Sequence, residues 1–304
     1  MSLASDNRWW ATLDPWIAAA WCVELALYAS LAWKAARNGL ARLGARRAAA
    51  ALTVSALLPY LLYAPATGAF DPARFLALTF LAALASFWYA ALPRRRAADA
   101  AFLVLIAAVV LAKVWNHVYA RPSNWPPMET LGQLMWIRVG VGSALAIRHA
   151  EGVGFGWLPT QREWRIGALH FLAFLPLGLL LGWATGFIRG LGWQGPIWRE
   201  ALVAVATFLG MLWVVALGEE FFFRGLLQRW LSEWSGSQRI GWLVASVLFG
   251  AAHLPFRGFP NWRFALLATL AGLFYGRAYL AGGGIRAAMV AHALTNTLWR
   301  AVLR

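Results

Sequence analysis

Cysteine is almost absent from this 304-residue chain, in which Cys22 is the only one. A single thiol excludes an intrachain disulfide and a cysteine-based zinc site. Acidic residues are also few, with 12 Asp and Glu against 27 Lys and Arg, so the formal net charge is +15. Only 13% of the residues are charged, whereas 61% are hydrophobic. This composition excludes an ordinary soluble domain and predicts a polytopic membrane protein.

Long apolar runs predict an all-α fold made of transmembrane helices. A span needs about 20 mainly apolar residues. Runs near that length cover residues 15–34, 49–66, 73–92, 100–120, 130–147, 166–188, 200–230, 240–255, 263–280 and 286–303. The run at 130–147 is the weakest, because Arg138 lies at its centre, and a helix along the interface is the alternative. We expect a helical bundle of about 8–10 spans.

The basic residues are concentrated in short connections between these runs. They form three groups: Lys34, Arg37, Arg42, Arg46 and Arg47; Arg94, Arg95 and Arg96; Arg148, Arg162 and Arg165. The groups alternate with connections that hold one or two basic residues, which is the positive-inside pattern. We therefore expect the lipid bilayer, and no nucleic acid, as the partner of this charge. The pattern predicts a multi-pass protein of a prokaryotic cytoplasmic membrane, with residues 231–240 and 281–286 in the cytosol.

Two adjacent glutamates, Glu219 and Glu220, lie inside the apolar run at 200–230. An ionised side chain at membrane depth costs several kcal/mol and indicates a functional site. On a helix, Glu220 and Arg224 share one face and form an ion pair. Glu219 points about 100° away and has no basic residue within one turn. We expect Glu219 to do chemistry, and the alternative is that both acids are structural.

Three further polar residues lie on apolar runs of the C-terminal half. His253 follows Gly250-Ala251-Ala252, while His292 and Asn296 are four residues apart and share a helix face. Glu219 and His253 lie at similar distances from a turn near residue 236, so antiparallel helices place them at the same depth. Each residue alone is more often a satisfied core residue. Together they predict one polar site in the cytosolic half of the membrane.

Other polar and small residues carry weaker signals. Glu24 in the first run, and Lys113, Asn116 and His117 near the end of the fourth, are candidates for a second polar site. The alternative is that Lys113 and His117 snorkel, because they are close to the end of the helix. Gly272 and Gly276 form a G-x-x-x-G pattern, which is typical of close helix packing. Tyr275, between these glycines, is a weak candidate for the site.

Three spaced motifs carry a family resemblance: Glu219-Glu220-x-x-x-Arg224, Phe249-x-x-x-His253 and His292-x-x-x-Asn296. In this order, on successive apolar segments, they resemble the motifs of the CAAX-protease and bacteriocin-processing (CPBP) family of intramembrane proteases. The resemblance covers about residues 166–304, as a protease core of about five spans. Residues 1–150, with about four or five spans, carry no matching motif. The implied fold is a helical bundle around a conical cavity open to the cytosol and the lipid.

The resemblance also implies an activity and a role for each residue. The activity is hydrolysis of a peptide bond near the C-terminus, or in the membrane-proximal part, of a membrane-associated and in some cases prenylated substrate. Glu219 and His253 would activate water, while His292 and Asn296 would stabilise the oxyanion. Glu220, Arg224 and Phe249 would support this frame.

Two alternatives stay open. In a metal-dependent version, Glu219, His253 and His292 would be zinc ligands, but the chain lacks an H-E-x-x-H motif, so we favour a mechanism without a cofactor. A non-proteolytic membrane binding or immunity protein, or an ion-coupled transporter, would also use a polar intramembrane cluster. The transporter is disfavoured because the N-terminal half contains no repeat that matches Glu219 and Glu220.

Overall fold

The computed structural model describes residues 14–119, 126–190, 192, 195–256, 258–301 and 303. Within these ranges the secondary structure consists of twelve helices and no strand, which confirms the all-α class. The chain divides into two compact units, residues 1–149 and 150–304. Each unit is a bundle of helices.

The first unit contains seven helices. They are α1 (Pro15–Ser30), α2 (Lys34–Arg42), α3 (Ala45–Tyr63), α4 (Pro72–Ala91), α5 (Arg96–Leu111), α6 (Val114–Val118) and α7 (Glu129–Ile147). Asp14 and Asp71 cap α1 and α4, because each carboxylate accepts backbone N–H groups of the first turn. Pro15 and Pro72 follow at the first helical position, where a proline costs no hydrogen bond.

A buried ion pair joins three helices of the first unit. The Arg138 guanidinium on α7 donates from Nε and Nη2 to the two Glu24 carboxylate oxygens on α1, at 2.9 Å each. Its Nη1 donates to Ser55 Oγ on α3 at 2.7 Å. Both charged side chains are almost fully buried. Glu24 is therefore a structural residue. Lys113 and His117 are exposed beyond the end of α5, so they do not join Glu24 in a second polar site, and their exposure fits the alternative that they snorkel.

The second unit contains five helices. They are α8 (Gln161–Ala184), α9 (Ile197–Ser235), α10 (Gln238–Ala251), α11 (Trp262–Gly282) and α12 (Ile285–Ala301). Thr160 and Glu163 form a capping box at the start of α8. Gly236 ends α9 in the left-handed conformation, and Ser237 caps α10 directly after it. This tight turn makes α9 and α10 antiparallel neighbours, as the depth argument required.

The G-x-x-x-G pattern on α11 brings backbones into contact. A side chain at Gly272 would lie 3.3 Å from the Ser246 backbone on α10, and one at Gly276 would collide with Trp242. Without side chains there, the carbonyls of α11 are accessible from α9. Arg224 donates to Gly272 O and Gln228 donates to Gly276 O, both at 3.3 Å. Arg224 and Gln228, four residues apart on α9, therefore bind the backbone carbonyls of Gly272 and Gly276, four residues apart on α11.

Fewer helices than expected have the length and composition of a span. Five qualify: Pro72–Ala91, Glu129–Ile147, Gln161–Ala184, Ile197–Ser235 and Trp262–Gly282; the bent pair α1 and α2 would add a sixth. Other predicted spans form shorter helices, such as α10 with 14 residues and α12 with 17. The run at 130–147, predicted to be the weakest, is among the five. Arg138 does not place it at the interface, because Glu24 neutralises that charge inside the bundle.

The Glu24–Arg138 pair yields a stability prediction. Glu24→Gln leaves a buried guanidinium without its counterion, and breaking such a pair costs about 3–5 kcal/mol. We expect a clear drop in Tm for the purified protein. The double variant Glu24→Leu/Arg138→Met removes both charges and is the control. A Tm for Glu24→Gln equal to that of the wild type would contradict the structural role.

The helix order of the second unit yields a topology prediction. Gln238 starts α10 at the end expected in the cytosol, and Ile197, 72% exposed, starts α9 at the other end. Single cysteines at these positions in a Cys22→Ser background report their sides. An impermeant thiol reagent outside intact cells should label position 197 and spare position 238. The reverse pattern would invert the second unit.

Candidate active site

The acidic pair lies on a short α-helical turn between two π-helical stretches of α9. Residues Leu217–Glu220 are α-helical, whereas Met211–Ala216 and Phe221–Gln228 follow the wider π pattern. π stretches inside a helix are rare and are frequent at functional sites. Glu219 and Glu220 therefore occupy a local irregularity that the apolar pattern of the sequence did not indicate.

Glu220 is fully buried and contacts two partners. Its Oε2 lies 3.3 Å from Arg224 Nε, and its Oε1 lies 2.7 Å from His292 Nδ1 on α12. The expected ion pair with Arg224 is therefore present. The bond to His292 is an addition, because the sequence argument assigned Glu220 to Arg224 alone.

Arg224 is also fully buried, and it is satisfied by several weaker contacts. Besides Glu220 it donates to Gly272 O, and its guanidinium carbon lies 4.8 Å from the centre of the Phe249 ring. A cation over an aromatic face is stabilised by the ring quadrupole. Its Nε and Nη1 make no aligned hydrogen bond. The ion contact with Glu220 is thus essential to keep this charge in the bundle.

His292 is held on several sides. Its ring stacks on Tyr275 with centroids 4.7 Å apart and an interplanar angle of 16°, and it meets the Phe249 ring edge-on at 5.7 Å. We assign the Nδ1 proton to the bond with Glu220, because a carboxylate accepts. Nε2 then faces Glu219, whose Oε2 is 3.8 Å away. Tyr275, a weak candidate from the sequence, is part of this arrangement.

Glu219 forms no ion pair with an arginine in the part of the chain that the structure describes. Its side chain is 35% exposed, and its Oε2 is buried without a hydrogen-bond partner. Glu220, one residue further, is 0% exposed and doubly bound. The two adjacent carboxylates thus occupy different environments, as the helix geometry predicted.

His253 lies in the turn after α10 and is half-buried. Its Nδ1 lies 2.7 Å from Phe249 O, and its ring packs against Phe249 and Phe264 at 4.7 and 4.6 Å between centroids. A proton on Nδ1 satisfies the carbonyl and leaves the Nε2 lone pair available to accept from water. Phe249 contacts His253, His292 and Arg224, so this supporting residue links the three motifs.

Asn296 lies one turn beyond His292 on α12 and is half-buried. Its Nδ2 is 3.7 Å from Met211 Sδ, at the start of the first π stretch. A thioether is a weak acceptor. The amide therefore keeps donor capacity for a stronger acceptor on the His292 side of α12.

Gln228 is a buried polar residue whose position the sequence argument did not use. It is 0% exposed, it binds Gly276 O, and it lies four residues beyond Arg224 on the same helix. The signal was a third polar residue at a spacing of four after Glu220 and Arg224. Gln228 therefore extends the buried polar seam, which consists of Glu220, Arg224 and Gln228 on α9 and faces α11.

The alternative metal site requires three ligands close to one another. In the described ranges, no three His, Cys, Asp or Glu side chains are grouped so that they could hold a metal ion. Glu219 and His292 approach each other, but the geometry does not gather Glu219, His253 and His292 into one ligand set. The mechanism proposed below therefore uses no metal ion.

Comparison with known proteins agrees with the motifs. No curated protein and no solved structure matches the chain. One family model matches residues 201–298, which include Glu219, His253, His292 and Asn296. That model describes the type II CAAX prenyl endopeptidase Rce1-like family. Residues 201–298 of this chain are therefore similar to the Rce1-like family, which confirms the family resemblance of the motifs.

Proposed function

We propose that the chain is an intramembrane endopeptidase in which Glu219 is the general base. The observation that carries this proposal is the unequal environment of the two glutamates. Glu220 is buried and contacts both Arg224 and His292. Glu219 is partly exposed, and its Oε2 lies 3.8 Å from His292 Nε2 without a hydrogen-bond partner. The family match supports the reaction class, peptide hydrolysis in a membrane-embedded protein.

In the proposed first step, water attacks the scissile carbonyl. Glu219 takes the proton of the water, and the His253 Nε2 lone pair orients that water, since His253 Nδ1 is occupied by Phe249 O. The new C–O bond places negative charge on the carbonyl oxygen. General bases of this kind contribute about 10²- to 10⁴-fold to the rate.

His292 and Asn296 stabilise that oxyanion. With Nδ1 bound to Glu220, a second proton on Nε2 makes His292 an imidazolium between two carboxylates, which is the form that donates. The Asn296 side chain rotates away from Met211 and donates an amide N–H to the same oxyanion. Collapse of the intermediate breaks the C–N bond, and Glu219 returns its proton to the leaving amine.

The substrate in this proposal is a membrane-associated peptide or protein, cut near its C-terminus. Members of the matched family are named as prenyl endopeptidases, and a prenylated tail is the substrate we would test first. Its lipid would lie in the bilayer while the peptide reaches Glu219 from the cytosolic side.

The general-base role predicts a selective loss of activity in Glu219→Gln. The amide keeps the shape but accepts no proton, so cleavage of a prenylated peptide should fall by about 10²- to 10⁴-fold. The variant should insert and keep a Tm close to that of the wild type, because Glu219 is 35% exposed and its contact with His292 Nε2 is long, at 3.8 Å. Cleavage close to the wild-type rate would end the glutamate mechanism.

Glu220→Gln should lower both stability and activity. It leaves the buried Arg224 without its counterion, at a cost of about 3–5 kcal/mol, and it loosens His292. Glu233→Gln is the matched control, because Glu233 is an exposed acid of α9 that pairs with Arg229 four residues earlier. The control should change neither quantity. Equal Tm values for Glu219→Gln and Glu220→Gln would remove the division of roles.

The absence of a cofactor from this mechanism is tested by metal removal. Dialysis of the active protein against a strong chelator should leave cleavage intact, and elemental analysis should find well under one zinc per chain. Glu219→Gln protein prepared in parallel gives the background metal content. Stoichiometric zinc whose removal abolishes activity, and whose return restores it, would establish the metal-dependent alternative.

A further inference from the structure

The two ends of the first unit carry different charge. Helices α1, α4 and α7 finish at one end, where α3 and α5 begin. Arg94 ties these elements together by donating to Ile147 O at 3.1 Å, and Arg148 reaches Asp99 at 2.9 Å. We call this the basic end. Its basic residues are Lys34, Arg37, Arg42, Arg46, Arg47, Arg94, Arg95, Arg96 and Arg148.

Acidic side chains avoid the basic end in the part of the unit that the structure describes. Asp14, Asp71 and Glu129 lie at the starts of α1, α4 and α7, which is the opposite end. Glu24 is buried with Arg138 between the two ends. Asp99 does lie at the basic end, but it is buried and bound by Arg148 and by the Tyr89 hydroxyl. Among the described acidic residues of the first unit, none therefore lies exposed at the basic end.

Helix α2 crosses the basic end nearly at right angles to α1. The two helices meet at 86°. Arg37 on α2 donates from Nη1 to Leu31 O at 2.5 Å and to Ala32 O at 2.9 Å, which fixes the corner by satisfying two carbonyls of the turn directly after α1. The helix also packs against residues 143–147 at the end of α7. Where α1 crosses a bilayer, α2 lies parallel to its surface.

Basic and apolar side chains are exposed together along this corner. Trp33 is 65% exposed and Leu43 is 47% exposed at the two ends of α2. Lys34 and Arg42 are exposed between them. Arg46 and Arg47 follow at the start of α3 and are exposed as well. An amphipathic helix with Lys, Arg and Trp is typical of a segment that lies in the headgroup layer of a membrane.

We propose that the basic end of the first unit is a binding surface for anionic phospholipid headgroups. Lys34, Arg42, Arg46 and Arg47 contact the phosphates, which arginine and lysine bind well, while Trp33 lies among the upper acyl chains. The exposed apolar side chains Trp33 and Leu43 lie beside the charges and favour a lipid over a nucleic acid. The phosphate backbone of a nucleic acid would match the charges but would offer no partner for the apolar side chains. This inference is independent of the proteolytic function.

The experiment compares lipids on the full-length protein purified in detergent. Native mass spectrometry measures retention of phosphatidylglycerol and of phosphatidylcholine from an equimolar mixture. The test variant is Arg46→Gln/Arg47→Gln, and Lys34→Gln/Arg42→Gln is a second, independent pair. The matched control is Arg74→Gln/Lys113→Gln, which removes two positive charges from the opposite end, where Lys113 is exposed and Arg74 is half-buried beside Asp71. Circular dichroism checks that every variant is folded.

We expect the wild type and the control to retain phosphatidylglycerol preferentially. Each test pair should weaken that preference by roughly 10- to 30-fold, given the contribution of one basic residue near an anionic surface. High salt should reduce the preference of the wild type, because the Debye length falls from about 10 Å at 0.1 M to about 3 Å at 1 M.

Four outcomes would overturn the proposal. The wild type could retain both lipids equally, or the control pair could lose as much preference as the test pairs. Soluble glycerol phosphate could also displace phosphatidylglycerol at equal concentration, which would assign the surface to a free anion. A short DNA duplex that displaces the lipid in the same way would assign it to nucleic acid.

Discussion

The buried charge of Arg224 is the constraint on which the second unit depends. A guanidinium without exposure is stable inside a bundle only when its surroundings supply counter-charge, acceptors and aromatic faces. Glu220 supplies the charge, α11 supplies the Gly272 carbonyl, and α10 supplies the Phe249 ring. Three helices are therefore positioned around one side chain. Because Glu220 also binds His292, the same requirement fixes α12.

The proposed catalytic geometry follows from this arrangement. Phe249 faces Arg224 with its ring and touches both histidines, so the group that stabilises the cation also sets the places of His253 and His292. The π stretches on each side of the acidic pair widen the helix and separate Glu219 from the buried seam of Glu220, Arg224 and Gln228. This arrangement is the basis of the proposed division of roles, in which Glu220 is structural and Glu219 is the general base.

Both units contain buried charged residues, but they satisfy them differently. In the first unit, Arg138 binds both oxygens of Glu24 and also Ser55, so the pair has no capacity for a substrate. In the second unit, Glu219 keeps an oxygen without a hydrogen-bond partner. Glu219 also differs from Glu24 in its exposure, 35% against 0%, and in the described ranges it pairs with no guanidinium, whereas Glu24 pairs with Arg138. The sequence rule that any such charge marks a functional site fails for Glu24, and for Glu219 it agrees with the proposed role.

The sequence by itself determined the helical class, the family and the residues of the candidate site. Apolar runs, the spacing of four between Glu220 and Arg224, and the order of the three motifs are local properties that a linear chain displays. The tertiary structure alone decided the partner of Arg138, the bond between Glu220 and His292, and the role of Tyr275. These contacts join residues 72 to 114 positions apart or stack rings from different helices, and no local period encodes them. The ten apolar runs of the sequence exceed the five helices of the described residues that have the length and composition of a span. Composition shows that a run is apolar, but it does not show where the helix within that run ends.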